Sequence, residues 1–158
     1  MALGNEIALI CNGRKFEAII SGTDKPGTVM QIQAGTAAVN GKFTVEAYNR
    51  DADGNRPQGP LIVLDNDHHQ GKTNDDAYVT GTICQCIIPA IGDELNMRFL
   101  DISGTGDDWA IGDLAIVNDG DGKLIATAGT PESEPFMVME AATDPTADHL
   151  MRCIYTGY

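Results

Sequence analysis

Turn chemistry punctuates this sequence at short, fairly regular intervals, and helical periodicity is almost absent from it. Eighteen glycines and seven prolines separate short apolar runs, the pattern of many brief strands joined by tight turns. The turn sequences are Asn40-Gly41, Asp53-Gly54, Ile91-Gly-Asp93, Ile111-Gly-Asp113 and Asn118-Asp-Gly-Asp-Gly122. Asn-Gly and Asp-Gly supply the positive φ angles that two-residue hairpins require. Asp119–Gly122, set between two apolar runs, is the clearest hairpin. Leu95-Asn-Met-Arg-Phe-Leu100 alternates with a period of two, as does Phe43–Tyr48, so each predicts a strand with one buried face. Further strands are expected at 16–20, 28–33, 61–65, 78–88, 114–118, 123–126, 136–140 and 150–155. One helical turn is expected at Glu140–Thr143, stopped by Asp144-Pro145.

About ten strands in 158 residues predict an all-β fold, an antiparallel β-sandwich or β-barrel. Residues 31–158 are expected as a single β domain. Residues 1–30 read as an N-terminal arm with the first strand or strands, free to contact a neighbour. Within them, 1–12 form either a flexible arm or an added strand. Two longer loops fall at 50–60 and 66–76. No repeat of fixed period is visible, which argues against a solenoid or propeller.

Charge narrows the partners. The chain carries 10 basic and 23 acidic residues, a net of −13. Residues 1–50 hold five basic and four acidic side chains, so the acidity lies in the remainder. Nucleic-acid binding needs clustered cations, and none occur, so no nucleic-acid partner is expected. The near-neutral first third is the part best able to lie against another protein. No apolar run approaches the roughly 20 residues of a membrane span, and Met1–Glu6 lacks the basic start of a signal peptide. Synthesis in a cytoplasm would keep Cys11, Cys84, Cys86 and Cys153 reduced, and they read as small buried hydrophobes.

Catalytic and metal-binding patterns are weak. Asp51-Ala-Asp53-Gly54-Asn55 opens like a calcium loop, but the twelfth position is Ile62 rather than a bidentate Glu. Asp65, Asp67, His68 and His69 cluster, yet adjacent histidines on a strand point to opposite faces. Cys84-Gln-Cys86 places two thiols on one strand face without the second ligand pair that zinc sites use. No nucleophile elbow, P-loop or dinucleotide fingerprint occurs, and Gly104-Thr-Gly106 lacks the flanking strand and helix of a phosphate cradle. A hydrolase with dispersed carboxylates would need two of them converging in a cleft. The expectation is a non-enzyme with no metal and no cofactor.

From residue 78 onward the order of features is distinctive. A polar strand, Tyr78–Ile88, leads into Pro89-Ala-Ile-Gly-Asp93 and the strand to Leu100. Ile111-Gly-Asp-Leu-Ala-Ile-Val117, the Asp-Gly hairpin to Lys123-Leu-Ile125, Phe136–Ala141 and a closing strand Leu150–Tyr155 follow. This half of the chain resembles the small capsid decoration (cement) proteins of tailed bacteriophages. The resemblance implies a β-rich homotrimer on the outer surface of the virion, clamping neighbouring copies of the major capsid protein. Its members commonly reach a neighbour by strand addition from a terminal arm. The partner-binding residues it suggests are Ile7, Leu9, Ile10, Phe16 and Ile19. Trp109, at a loop-to-strand boundary, reads as a lid on the core or, if exposed, joins them as a hot-spot candidate. The alternative is a glycan- or receptor-binding β module, such as a head fibre, using the loops at 50–76 and exposed Tyr48, Tyr78 or Trp109.

Overall fold

The computed structural model describes residues 7–49, 59–67, 70–71, 73–100, 108–126, 136–143 and 148–157. Among them are eleven strands and no helix: β1 (Ala8–Ile10), β2 (Arg14–Ile20), β3 (Val29–Ile32), β4 (Thr44–Ala47), β5 (Ile62–Asp65), β6 (Ile83–Ile88), β7 (Glu94–Phe99), β8 (Leu114–Val117), β9 (Leu124–Ala126), β10 (Phe136–Val138) and β11 (His149–Tyr155). The all-β expectation holds, and the strands fall close to their predicted places. Two expectations fail. Tyr78–Thr82 is not strand, because Thr82 N–H bonds back to Val79 O at 3.0 Å and Gly81 sits at φ +82°. Glu140–Thr143 is not helical, because the N–H and C=O of Ala142 are both taken by Trp109, at 3.0 and 2.8 Å.

The strands close into two rings. β2-β4-β3-β5-β6 is a closed barrel, and β7-β9-β8-β10-β11 closes in the same way, with β1 added beside β7. Each ring has four antiparallel pairings and one parallel seam, β2 with β4 and β7 with β9. The rings match residue for residue. Phe16 pairs Cys86 as Leu95 pairs Cys153, and Met30 pairs Ala47 as Ala115 pairs Ala126. Val63 pairs Ile87 as Met137 pairs Ile154, and across the seams Ile20 meets Val45 as Phe99 meets Leu124. The flanking bonds match too. Ser21 N–H donates to Val45 O as Leu100 N–H donates to Leu124 O, and Gly81 N–H donates to Ile20 O as Asp148 N–H donates to Phe99 O. This explains why Asp148 holds a φ of +66°: it stands where the first ring has Gly81.

Alternation then sorts side chains as a strand pleat requires. Ala18, Ile20, Met30, Val45, Ile62, Leu64, Cys84 and Cys86 fill the first ring, joined by Tyr78. Their counterparts Met97, Phe99, Ala115, Leu124, Phe136, Val138, Met151 and Cys153 fill the second. Val29, Val63 and Ile87 leave the first ring's interior and pack on the second core, together with Ile7. The body expected over 31–158 is thus distributed over two rings, and residues 14–20 belong to the first of them. As far as residue 7, the expected arm is the added strand β1.

Candidate functional site

The first ring docks on the second through the turn before β3 and through Val29, Val63 and Ile87 of β3, β5 and β6, which pack on the second core. Its Lys25–Thr28 turn places Gly27 so close to β7 that a Cβ there would lie 3.0 Å from Asn96 O and 2.9 Å from Leu150. Arg98 N–H donates to Gly27 O at 3.0 Å, and Val29 N–H donates to Gly122 O at 2.7 Å. The segment Gly27–Val29 is therefore wedged into the mouth of the β7–β9 seam. Gly122, at φ +65°, has no room for a Cβ, which would meet Val29 O at 2.1 Å.

Arg98 locks this contact. Its buried guanidinium donates to Pro26 O at 2.8 Å, to Asp148 O at 2.7 Å and to Asn74 O. Those acceptors come from two turns and a loop, so one side chain ties three segments together. Asp148 pairs with Lys123 and, at 3.5 Å, with Lys25. The Lys123 ammonium holds the Asp148 carboxyl below the usual carboxylate range despite partial burial. Asp24 sits nearby with its carboxyl pushed up, chiefly by burial. Between β1 and β2, buried Asp93 accepts backbone N–H bonds from Asn12 at 2.7 Å and from Gly13 and Ala90, each at 2.9 Å. Burial pushes its carboxyl up, but these donors outweigh burial and the net shift is downward.

The polar clusters seen in the sequence take structural places. Asp65 is buried, receives the Lys15 ammonium at 2.8 Å and, through its carbonyl, the Tyr78 hydroxyl at 2.9 Å. Burial pushes the Tyr78 hydroxyl up. Asp67 and Asn74 are buried beside them, whereas His68, His69 and the Asp51–Asn55 segment lie outside the described residues. Cys84 and Cys86 do share a face, with Sγ atoms 3.8 Å apart inside the first ring. Cys153 fills the second ring and Cys11 is half-buried beyond β1. Among the described residues no three His, Cys, Asp or Glu side chains are placed to hold a metal ion.

The candidate partner-binding residues divide by exposure. Ile7 is fully buried, and Trp109 is buried against Phe99 in an edge-to-face contact with centroids 4.7 Å apart. Leu9, Phe16 and Ile19 are half-buried, and Ile10 is exposed. Tyr78 is buried and Tyr48 half-buried. Sequence reasoning missed the larger apolar surface. Ile32, Val39, Phe43, Val79 and Ile83 are exposed on the first ring. Ile91, Ile111 and Leu114 are exposed on the second, and Ile10 beside it lies opposite Glu94. The signal was there in part: Ile91 and Ile111 occupy identical Ala-Ile-Gly-Asp turns whose aspartate caps its own alanine N–H, at 2.9 and 2.7 Å. That geometry puts the isoleucine at the outer corner of the turn, ahead of glycines at φ +93° and +96°.

No family model matches this sequence, and no curated protein matches it. Among solved structures, the chain is similar to the N base of head fibre gp8.5 of bacteriophage phi29. The TM-score is 0.53 at 13% sequence identity, over 91% of this chain and 94% of that one. The two proteins share a fold across nearly their whole lengths.

Proposed function

We propose that this protein is a structural component of a phage virion, seated on the outside of the capsid. The observation that carries the reading is the fold shared with a head-fibre base over 91% of the chain. The charge pattern supports it, since a strongly acidic body stays soluble and is repelled by nucleic acid. In this reading the protein catalyses nothing. It binds the major capsid protein as a homotrimer and stabilises contacts between capsid subunits, either as a decoration protein or as the foot of a projection. Each contact is weak, and the repeated lattice makes the assembly firm.

Co-sedimentation of the purified protein with isolated phage heads lacking it tests the proposal. Saturable binding at a fixed ratio to the major capsid protein is expected. No co-sedimentation at micromolar protein would overturn it. Ile10→Asp, at an exposed site, tests the arm directly and is expected to weaken binding at least tenfold. Deleting residues 1–12 is the poorer variant, because Ile7 lies in the core and Asn12 caps Asp93.

A further inference from the structure

The chain carries one ring-to-ring contact inside itself and exposes both halves of a second. In the internal contact, the turn before β3 of the first ring sits at the β7–β9 seam of the second. Left over are the β2–β4 seam of the first ring and the turn before β8 of the second. Ile32, Phe43 and Ile83 are exposed around that seam, and Ile111 and Leu114 on that turn.

The residue correspondence makes the parallel specific. The docking turn Lys25-Pro-Gly-Thr-Val29 corresponds to Ala110-Ile-Gly-Asp-Leu114. Both have glycine at positive φ, and both bond the glycine N–H to the neighbouring strand, Gly27 to Leu64 O and Gly112 to Val138 O. Val29 is fully buried in the internal contact, whereas its counterpart Leu114 is 44% exposed and Ile111 is 69% exposed. On the receiving side, Val117 of the second ring is buried and Leu150 half-buried, while their counterparts Ile32 and Ile83 are exposed. Phe43, 54% exposed, stands where the second ring has Gly122.

We propose that copies of this chain associate head to tail, the Ala110–Leu114 turn of one against the Phe43 and Ile83 surface of the next. The occupant is a second copy because the complementary surface is already built, in the same chain, at the equivalent place. The receiving surface also suits a partner of net charge −13. Residues 32–44 contain a single charge, Lys42, and it is paired with Glu17 at 3.0 Å. One difference sets the strength. The first ring closes its own seam, Ile19 N–H donating to Phe43 O at 2.9 Å, so no backbone slot awaits the incoming turn. Contact between copies therefore rests on apolar side chains and is reversible. A heterologous contact of this kind generates a closed ring or an open fibre, and never a two-fold dimer. The inference rests on the self-association part of the proposed function and supplies its interface.

Light scattering after size exclusion tests it with two variants, Ile111→Asp and Phe43→Asp. Both positions are exposed, so unfolding midpoints equal to that of the native chain are expected and confirm intact folds. The native chain is expected to form an oligomer, and each variant alone to be monomeric, with self-association at least tenfold weaker. Mixed, the two variants retain one good donor turn and one good receiving surface, and a 1:1 heterodimer that grows no further is expected. A native chain that stays monomeric would overturn the interface and self-association together, leaving capsid binding to stand on its own co-sedimentation result. Folded variants that oligomerise like the native chain, or a mixture that yields no heterodimer, would overturn the interface alone.

Discussion

The two rings share one register and differ at one seam. In the first, β2 and β4 meet and the mouth of the seam is closed by the bond from Ile19 N–H to Phe43 O. In the second, the corresponding donor is Arg98 N–H and the corresponding acceptor is Gly122 O, and they never meet. Gly27–Val29 of the first ring stands between them and bonds to both. A closed sheet has no free edge: the second ring pairs Phe99 with Leu124 as the first pairs Ile20 with Val45, and beyond that pairing its seam holds the first ring's backbone. The lesson is that a repeat joins to its neighbour by leaving unmade a bond that it makes for itself elsewhere.

The largest effect that would break this comparison comes from Arg98. Arg98→Ala leaves the carbonyls of Pro26, Asn74 and Asp148 without their shared donor and is expected to cost about 3–5 kcal/mol in urea unfolding. Ile19→Ala, at the equivalent half-buried site, is expected to cost about 1 kcal/mol. Equal costs would mean that the wedge is not what distinguishes the seams.

The next test sharpens the correspondence in the cores. The rings exchange volumes: Ala18 and Met30 in the first stand where Met97 and Ala115 stand in the second. Met30→Ala is expected to cost about 2–4 kcal/mol and Ala18→Met about 1–3. The double variant recreates the second ring's arrangement. It should cost about 1–2 kcal/mol less than the sum of the singles, and strict additivity in denaturation would argue against equivalence.

Glycine offers a smaller contrast. Gly122→Ala meets both a positive φ and the Val29 carbonyl, and is expected to cost about 3 kcal/mol. Gly41→Ala, at φ +75° with open space around it, faces the backbone strain alone, about 1 kcal/mol. Matching thermal shifts would remove the close approach from the account.

The smallest effect is in acid. Asp148 and Asp93 have folded pKa values below their unfolded ones, so their stabilisation is present above the ordinary carboxylate range. It is lost as pH falls through the folded values. Asp24, raised by burial, works in the opposite sense: its contribution is complete below the unfolded value and lost as pH rises through the folded one. Because two downward shifts face one upward, unfolding midpoints should fall from about pH 5 toward pH 3. Asp148→Asn should flatten part of that decline, and an unchanged slope would remove Asp148 from the clamp.

How much of this could be read in advance differs by level. Turn chemistry and alternation placed nearly every strand, because positive-φ glycines and period-two burial are local properties. The duplication stayed hidden for two reasons. The spacing between equivalent residues drifts from 85 at Met30–Ala115 to 67 at Cys86–Cys153, so no period survives. The core exchanges large for small residues, so no identity survives either. Ile111 and Leu114 carried no signal as a docking turn until the ring placed them opposite the role of Val29. Trp109 read as a core lid or an interface anchor, and only its packing on Phe99 decided for the core.

Sequence alone thus determined most of the strand inventory, the tight turns, the acidic character and the near-neutral first third. These follow from φ preferences, side-chain alternation and charge, each of which acts within a few residues. Tertiary structure decided that ten strands make two rings rather than one, that each ring closes on a parallel seam, and that Arg98 sits at the joint. It also decided which isoleucines face water. Those outcomes depend on hydrogen bonds between residues 24 to 89 positions apart, as from Ser21 N–H to Val45 O or from Asn96 N–H to Ile7 O, and on which backbone donor each ring leaves open to the other.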